Sequence, residues 1–221
     1  MTVRGILLAA GYSKRFGSNK LLEPLPAGAP GAGTPIALAA ARHLVEVLRN
    51  PIAVVRPRAA KLAKLLRDAG CEVVVCENAA EGMGTSLAAG VRAAAGADGW
   101  VIALADMPFL QPQTIRAIAN ALAAGAAIAA PSYRGERGHP VGFARRFFAE
   151  LAALRGDEGA RELLKHYPGL LRLYDVDDPG ILRDIDRPSD LTRSPARGAA
   201  PRRTARHPAR RTSSPSSPRR G

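Results

Sequence analysis

The residue types that could do chemistry are concentrated first in a short loop near the amino end of the chain. An apolar run, Val3–Ala9, gives way there to small and polar residues, among them the cations Arg15 and Lys20. Gly11 and Gly17 let backbone N–H groups approach a ligand closely, and the two cations could close on it from either side. This pattern indicates a triphosphate-binding loop after a buried strand. The alternative is an ordinary strand-to-helix turn with solvated cations.

The spacing of this loop differs from that of two well-known phosphate-binding motifs. The glycines are not followed by the Gly-Lys-Ser/Thr of a Walker A loop. Gly11 and Gly17 are six positions apart with no glycine between them, so the dinucleotide-binding fingerprint is also excluded.

A carboxylate follows the strongest buried-strand signal in the chain. Residues 99–105 are apolar and end in Asp106-Met107-Pro108. An acid at the carboxyl end of a central strand, beside a triphosphate loop, is well placed to hold a divalent cation. The alternative is a helix cap or a turn residue. We favour the metal-binding interpretation for Asp106.

A glycine-containing segment at residues 78–90 could meet another part of a ligand. Thr85 or Ser86 is predicted to cap the helix that follows Gly84. The free N–H groups at that helix N-terminus would suit a sugar hydroxyl, a base carbonyl or a phosphate. A capped helix without any ligand is the alternative.

A second such segment, residues 131–143, interrupts the rhythm of strands and helices. Two glycines make it pliable, and Arg134, Arg137 and His139 would suit an anion. If the nucleophile is a phosphate it already carries negative charge, so we expect His139 to orient the substrate rather than act as a general base.

The elements that must position these residues alternate between strand and helix from Val3 to about Ile128. This alternation predicts an α/β fold with a parallel, doubly wound sheet. Residues 24–33 are predicted to form a flexible surface loop, and Thr34 and Pro35 to be the N-cap and first residue of a helix. The predicted strands are residues 3–9, 52–55, 71–76, 99–105, 126–130 and 171–176. The predicted helices include residues 34–48, 58–67, 111–122, 145–154 and 157–166.

Composition indicates one domain followed by a basic tail. The 221 residues are 47% apolar, which is enough for a sizeable core. Nine of the 32 basic residues and no acids lie in residues 193–221, which leaves 23 basic and 19 acidic residues in residues 1–192. We therefore expect a domain over residues 1–192 and a disordered Arg/Pro/Ser-rich tail, solvated or in nonspecific contact with nucleic acid or acidic partners.

The cysteine content and the hydropathy pattern indicate a reduced compartment. Cys71 and Cys76 are five positions apart in one predicted strand, so they point to opposite faces and should not form a disulfide. We see no signal-peptide pattern and no apolar run as long as a membrane span. These observations predict a cytoplasmic protein without a membrane partner.

Five motifs, in order, resemble the molybdenum cofactor cytidylyltransferase family and its guanylyltransferase relatives, over about residues 3–191. The first is the Leu8–Lys20 loop, and the others follow it along the chain. They are Gly-Met-Gly-x-Ser-Leu at residues 82–87, Asp-x-Pro at 106–108, Gly-His-Pro-Val-x-Phe at 138–143 and Asp-Ile-Asp-x-Pro at 184–188. The resemblance implies a Rossmann-like nucleotidyltransferase fold in three layers.

The resemblance also implies a reaction: transfer of CMP from CTP to the terminal phosphate of molybdopterin, with Mg²⁺, releasing pyrophosphate. Ala9-Ala10-Gly11 resembles the cytidylyl branch, which favours CTP. A xanthine-dehydrogenase-type molybdoenzyme, or its chaperone, is the implied partner. A guanylyltransferase or other transferase of this fold remains an alternative, as does a non-catalytic cofactor-binding or carrier module.

By resemblance, the site residues fall into four groups. Arg15, Lys20 and Asp106 would be catalytic. Asp106 and Asp186 would hold the metal, with Asp184 as the rival of Asp186. Pro108, Gly138, His139 and Pro140 would meet the acceptor. The nucleotide would contact Leu8, Ala9, Ala10, Gly11, Ser13, Arg15, Lys20, Gly82, Met83, Gly84, Ser86 and Asp106.

Overall fold

The structure is a computed structural model that describes residues 1–12, 16, 19–157 and 159–192. The predictions for Ser13, Arg15, Gly17 and the 193–221 tail therefore lie outside the described residues. The boundary at residue 192 stays a prediction.

One mostly parallel sheet organises the described chain, as predicted. Six strands run parallel, and only β6 and β7 run in the opposite direction. The order is β3-β2-β1-β4-β7-β5, with β8 beside β5 at the far edge and β6 paired to the end of β5. The strands are β1 Val3–Ala9, β2 Ile52–Val55, β3 Glu72–Val75, β4 Gly99–Leu104, β5 Ile128–Tyr133, β6 Glu136–Arg137, β7 Val141–Ala144 and β8 Leu171–Asp175.

Helices cover both faces of the sheet, so the predicted three-layer α/β architecture is confirmed. Successive residues of a strand point to opposite faces. Leu7 of β1 accordingly packs with α1, α2 and α4, whereas Ile6 packs with α3, α5 and α6. The helices are α1 Ile36–Val47, α2 Ala60–Asp68, α3 Met83–Ala93, α4 Pro112–Ala123, α5 Phe148–Ala153, α6 Gly159–His166 and α7 Pro188–Thr192.

The antiparallel strand β7 is the main feature that the sequence did not predict. After β5 the chain turns at Arg134-Gly135, where both residues have positive φ, and returns as β6 and β7. Because no helical crossover follows β5, the returning strand can only pair antiparallel. It fits between β4 and β5 and thereby widens the sheet beside β4.

Two predicted helix caps were wrong. Helix α1 begins at Ile36 with Pro35 as N-cap, because the carbonyl of Thr34 is used by the N–H of Leu25 at 2.8 Å. Helix α3 begins at Met83, so Thr85 and Ser86 lie inside it and no side chain caps it. The hydroxyl of Thr85 donates to Glu81 Oε2 at 3.2 Å instead.

Residues 24–33 form a mostly exposed loop, in agreement with the predicted surface loop, and it is closed by its own hydrogen bonds. Pro24 and Pro35 form an isolated bridge, and the N–H of Gly33 donates to the carbonyl of Leu25 at 2.8 Å. Leu25 is only 2% exposed and packs in the core. The apolar anchor compensates for the small and flexible residues around it.

The two cysteines lie on opposite faces of the sheet, as the spacing predicted. Both are free and buried, Cys71 in the core beside α1 and α2, and Cys76 in the core beside α3. Burial raises the pKa of the Cys71 thiol to about 11, so this thiol is protonated at neutral pH. Within the described ranges, no helix is both long and apolar enough to cross a bilayer.

The close fit of α4 against β7 gives a stability prediction. A Cβ added at Gly142 would lie 2.8 Å from Ile118 Cγ2 and 3.1 Å from Leu122 Cδ1. We expect Gly142→Ala to lower the free energy of unfolding by about 1–3 kcal/mol through overpacking. Gly96→Ala is the matched control, since a Cβ there meets nothing within 4 Å. Urea denaturation of both variants measures the difference, and equal stabilities would contradict this packing.

Candidate active site

A cleft of about 580 Å³ opens where β1 and β4 end side by side. β2 and β4 flank β1 on opposite sides in the sheet. The strands that follow β1 in the chain therefore extend first to one side and then to the other, and the cleft lies where this direction changes. Ligands of open α/β sheets bind at such a crevice. The cleft is lined by Leu8, Ala10, Gly11, Tyr12, Lys20, Leu21, Ala79, Ala80, Gly82, Met83, Ser86, Leu104, Asp106, Asp157, Asp184 and Asp186.

Lys20 joins two carboxylates at the floor of this cleft. Its Nζ donates to Asp106 Oδ2 at 2.8 Å and to Asp186 Oδ1 at 3.1 Å. The third acceptor is the carbonyl of Ile185 at 2.7 Å. Burial alone would lower the pKa of Lys20, but attraction and hydrogen bonds from Asp106 and Asp186 outweigh it, so the pKa lies above its ordinary value. The ammonium is therefore fully charged at neutral pH.

Backbone contacts bring the three partners together from distant parts of the chain. Asp106 follows β4, whose pairing with β1 is extended by a 3.1 Å bond from Ala105 N–H to the Leu8 carbonyl. The N–H of Ile185 donates to the carbonyl of Asp106 at 2.9 Å, which draws the later segment alongside. Lys20 stands in a short 3₁₀ turn that buried Leu21 fixes to the core.

A buried carboxylate, Asp178, anchors the segment that carries Asp184 and Asp186. Asp178 is 2% exposed and accepts from Gln111 N–H at 2.9 Å and from Thr114 Oγ1 at 2.7 Å. It also accepts from Gly180 N–H at 2.9 Å. One side chain thus serves the N-terminus of α4 and the turn that starts the segment.

Asp184 is the third acid of the cleft. Burial raises its pKa, and the negative charges of Asp186 and Asp106 add to that effect. Asp186 differs because its carboxylate contacts Lys20. The backbone N–H of Asp186 also donates to Asp190 Oδ2 at 3.0 Å. The geometry therefore favours Asp186 over Asp184 as the partner of Asp106.

Most of the residues predicted to contact a nucleotide do line the cleft, but two do not. The lining includes Leu8, Ala10, Gly11, Lys20, Gly82, Met83, Ser86 and Asp106. Ala9 points into the core beneath the sheet. The N–H of Gly84 donates to the Gly156 carbonyl at 2.8 Å, so Gly84 packs on the 155–157 turn instead.

The residues predicted to meet an acceptor lie behind the cleft rather than in its lining. Pro108, Gly138 and Pro140 are buried, and a Cβ on Gly138 would come within 2.3 Å of the Ile181 carbonyl. The N–H of His139 donates to that same carbonyl at 3.0 Å. Its Nδ1 is buried with no hydrogen-bond partner among the described residues, and burial lowers the pKa of the imidazole. Gly138 and His139 thus support the 181–186 segment at Ile181.

Among the polar residues of the cleft lining, sequence reasoning missed Tyr12 and Asp157, and it also missed Arg56 beside Tyr12. Tyr12 lies at the mouth, with the guanidinium of Arg56 stacked 4.9 Å from its ring centroid. Arg56 also donates to the Gly11 carbonyl at 2.6 Å. Arg56 directly follows β2, and the pairing of Val55 with Ala9 places it next to the end of β1. The register of these two strands would have been needed to predict this contact. Asp157 lines the cleft from a turn at residues 156–157. Gly156-Asp157-x-Gly159 predicts this turn in the sequence, but nothing in the pattern points to the cleft.

A family comparison decides the class of the protein. Residues 5–171 match the model described as the MobA-like NTP transferase domain, which is well over half of the chain. The chain belongs to this family. It is an NTP transferase of the MobA-like type. Lys20, Asp106 and Asp186 meet in its cleft at the ends of β1 and β4.

Several relatives resemble this MobA-like transferase over most of their length. The purine catabolism protein PucB of Bacillus subtilis is 36% identical over 193 residues, covering 84% of this chain and 92% of PucB. Nicotine blue oxidoreductase of Paenarthrobacter nicotinovorans is 29% identical over 200 residues, covering 86% and 95% respectively. The crystal structure of Rv0371c from Mycobacterium tuberculosis H37Rv superposes with a TM-score of 0.69 at 29% identity, covering 87% and 96%. Another structure of Rv0371c is a complex with manganese, with a TM-score of 0.65 and 26% identity over 87% and 97%.

The donor atoms of the MobA-like transferase suit a hard divalent ion. Asp106 and Asp186 both reach one point, the position of Lys20 Nζ, with carboxylate oxygens. In the described ranges, no three His, Cys, Asp or Glu side chains form a group that could hold a metal. Two carboxylates are nevertheless a normal protein contribution for Mg²⁺, which completes its shell with water and phosphate oxygens.

The anchoring role of Asp178 predicts a large stability effect. Asp178→Ala removes three hydrogen bonds to a buried carboxylate and leaves their donors unpaired. We expect the free energy of unfolding to fall by about 3 kcal/mol or more. Asp177→Ala is the matched control, because Asp177 is the neighbouring residue and is exposed. Chemical denaturation measures both, and a loss for Asp178→Ala no larger than for Asp177→Ala would contradict the anchor.

Proposed function

We propose that this transferase moves CMP from CTP to the terminal phosphate of molybdopterin, with Mg²⁺, and releases pyrophosphate. The observation that carries the proposal is the convergence of Lys20, Asp106 and Asp186 on the floor of a cleft at the switch point of the sheet. A cation and two acids in one pocket are what transfer of a nucleotidyl group requires, because it is mainly positioning and charge stabilisation.

The two carboxylates would hold the divalent ion. When bound, Mg²⁺ acts as a Lewis acid and neutralises charge on phosphate oxygens. Asp106 and Asp186 are suited to it through their carboxylate oxygens, and the manganese complex of Rv0371c supports divalent-ion use in a similar protein. Mg²⁺ rather than Mn²⁺ is part of the proposal.

The two cations would offset the charge of the leaving pyrophosphate. Lys20 already lies in the cleft. Arg15 belongs to the same loop and lies, with Ser13, outside the described residues. Their assignment to the triphosphate rests on the sequence motif and on the position of the loop at the end of β1.

The nucleoside would bind between the end of β1 and the start of α3. Leu8, Ala10 and Gly11 line one side, and Gly82 and Ser86 the other. Gly82 has φ 137°, and a Cβ there would lie 2.3 Å from the carbonyl carbon of Gly156. Only glycine fits, so the backbone itself forms this wall. The Ala9-Ala10-Gly11 sequence supports CTP over GTP.

The acceptor would approach the carboxylates from the side of the 181–186 segment. Its terminal phosphate carries its own negative charge, so no general base is needed. His139 is not among the described residues that line the cleft, which supports a role other than proton abstraction. We propose that Pro108, Gly138, His139 and Pro140 act on the acceptor through the shape of the segment they support.

The proposed partner is a molybdoenzyme of the xanthine dehydrogenase type, or its chaperone, in the cytoplasm. The name of PucB places that relative in purine catabolism, and xanthine is a purine. The support for this partner is therefore the resemblance of the two chains, together with the motifs.

Turnover with four nucleotides tests the reaction. We expect pyrophosphate release with CTP, Mg²⁺ and molybdopterin, at least tenfold faster than with GTP, ATP or UTP, and little release without the acceptor. A colorimetric pyrophosphate assay measures it. A preference for GTP would assign the guanylyltransferase alternative, and no release with any nucleotide would favour the non-catalytic carrier.

Asp106→Asn tests the metal carboxylate. The amide keeps the shape of the side chain but lacks the negative charge, so we expect the rate to fall on the order of a hundredfold or more. Asp68→Asn is the control, since Asp68 is an exposed acid paired with Lys64 on α2 at 2.6 Å. The same assay compares the two, and full activity of Asp106→Asn would remove Asp106 from the mechanism.

A further inference from the structure

The ammonium of Lys20 has used all of its hydrogen-bonding capacity. An ammonium carries three N–H donors. Their acceptors are Asp106 Oδ2 at 2.8 Å, Asp186 Oδ1 at 3.1 Å and the Ile185 carbonyl at 2.7 Å. Lys20 is 8% exposed, so water contributes little to it. In this arrangement no N–H of Lys20 is left to contact a phosphate.

The same two carboxylates are the groups proposed to hold the divalent ion. Lys20 Nζ lies between their oxygens, in the space where both could be reached at once. Asp106 and Asp186 would hold a divalent ion through these oxygens, and its charge would repel an ammonium in the same space. With Lys20 in this position, its ammonium cannot contact a phosphate and the two carboxylates cannot bind a divalent ion.

We propose that Lys20 is an internal substitute for the divalent ion and exchanges with it. In the free protein its charge holds Asp106 and Asp186 together, and it leaves them when the ion binds with the nucleotide. The released ammonium then turns to the triphosphate. This inference rests on the proposed function and adds an order of binding to it. Asp106 and Asp186 bind the ion well only when Lys20 can contact another anion, the triphosphate.

The surroundings of Lys20 allow this exchange without moving the fold. The 3₁₀ turn Lys20–Leu22 is closed by the bonds from Leu22 N–H to the Asn19 carbonyl at 2.9 Å and from Glu23 N–H to the Lys20 carbonyl at 3.1 Å. Leu21 keeps the turn in the core. The lysine side chain itself lines the cleft and has a flexible four-carbon stem, so rotation of the side chain is sufficient.

Without Lys20, Asp106 and Asp186 would lose the positive charge that they share. Removal of the ammonium leaves excess negative charge in the cleft, and a divalent ion is the natural replacement. Loss of the lysine should therefore strengthen ion binding in the absence of nucleotide while weakening the binding of the nucleotide.

Binding of Mn²⁺ to the full chain without nucleotide tests the exchange. Methionine approximates the length of lysine without its charge. Electron paramagnetic resonance titration should show Lys20→Met binding Mn²⁺ at least tenfold more tightly than the wild type. The matched control is Lys64→Met, which removes a lysine from the exposed pair with Asp68 and should leave Mn²⁺ affinity unchanged. Equal or weaker binding by a folded Lys20→Met variant would overturn the proposal.

A second measurement uses the wild-type chain and does not depend on the stability of a variant. In ¹⁵N-lysine spectra, a buried ion-paired ammonium exchanges its protons slowly and gives a resolved Nζ signal, which we would assign by its loss in Lys20→Met. Mg²⁺ added with a non-hydrolysable CTP analogue should shift this signal, whereas Mg²⁺ alone should do so only at far higher concentration. An Nζ signal that stays unchanged at saturation would overturn the exchange.

These results separate the exchange from the proposed reaction. Tighter Mn²⁺ binding by Lys20→Met, together with no cytidylyl transfer by the wild type, would support the exchange and refute the reaction. Cytidylyl transfer by the wild type together with unchanged Mn²⁺ affinity in Lys20→Met would support the reaction and refute the exchange.

Discussion

The ion cluster of Lys20, Asp106 and Asp186 is the interaction on which the site depends. Burying an ammonium is costly unless it is paired and hydrogen-bonded, and here all three donors are satisfied. The three residues come from the loop after β1, the end of β4 and the segment before α7. Asp106 is 86 positions and Asp186 is 166 positions from Lys20 along the chain. A contact over such separations forms only when the whole sheet is assembled, so the charge cluster reports the completed fold.

The chain builds this cluster by supporting one segment, residues 178–186, from several sides. Asp178 ties it to α4, and the backbone of Gly180 fits so closely to Phe109 that a Cβ would lie 2.1 Å from its carbonyl oxygen. Gly138 and His139 contact it from the loop before β7. Residues far from the cleft thus determine where Asp184 and Asp186 stand. Two of the residues predicted to meet the acceptor, Gly138 and His139, thus contact this segment at Ile181.

The antiparallel insertion of β7 explains how this support is possible. A fully parallel order would place β5 directly beside β4 and leave no returning strand at the carboxyl edge. With β7 between them, residues 138–140 emerge near Asp106 and contact the 181–186 segment. The membership of the chain in the MobA-like NTP transferase family, and the fold it shares with Rv0371c, agree with this arrangement around a nucleotide cleft.

The sequence alone determined the class of fold and the position of the cleft. Apolar runs such as Val3–Ala9 and residues 99–105 specify buried parallel strands locally, and loops after such strands must meet at one edge. Tertiary structure decided the rest. Whether Lys20 faces a phosphate or a carboxylate, whether Gly84 lines the cleft and where Arg56 reaches depend on contacts between residues far apart in the chain. Such contacts are set by packing and charge balance in three dimensions, which local patterns of residue type do not contain.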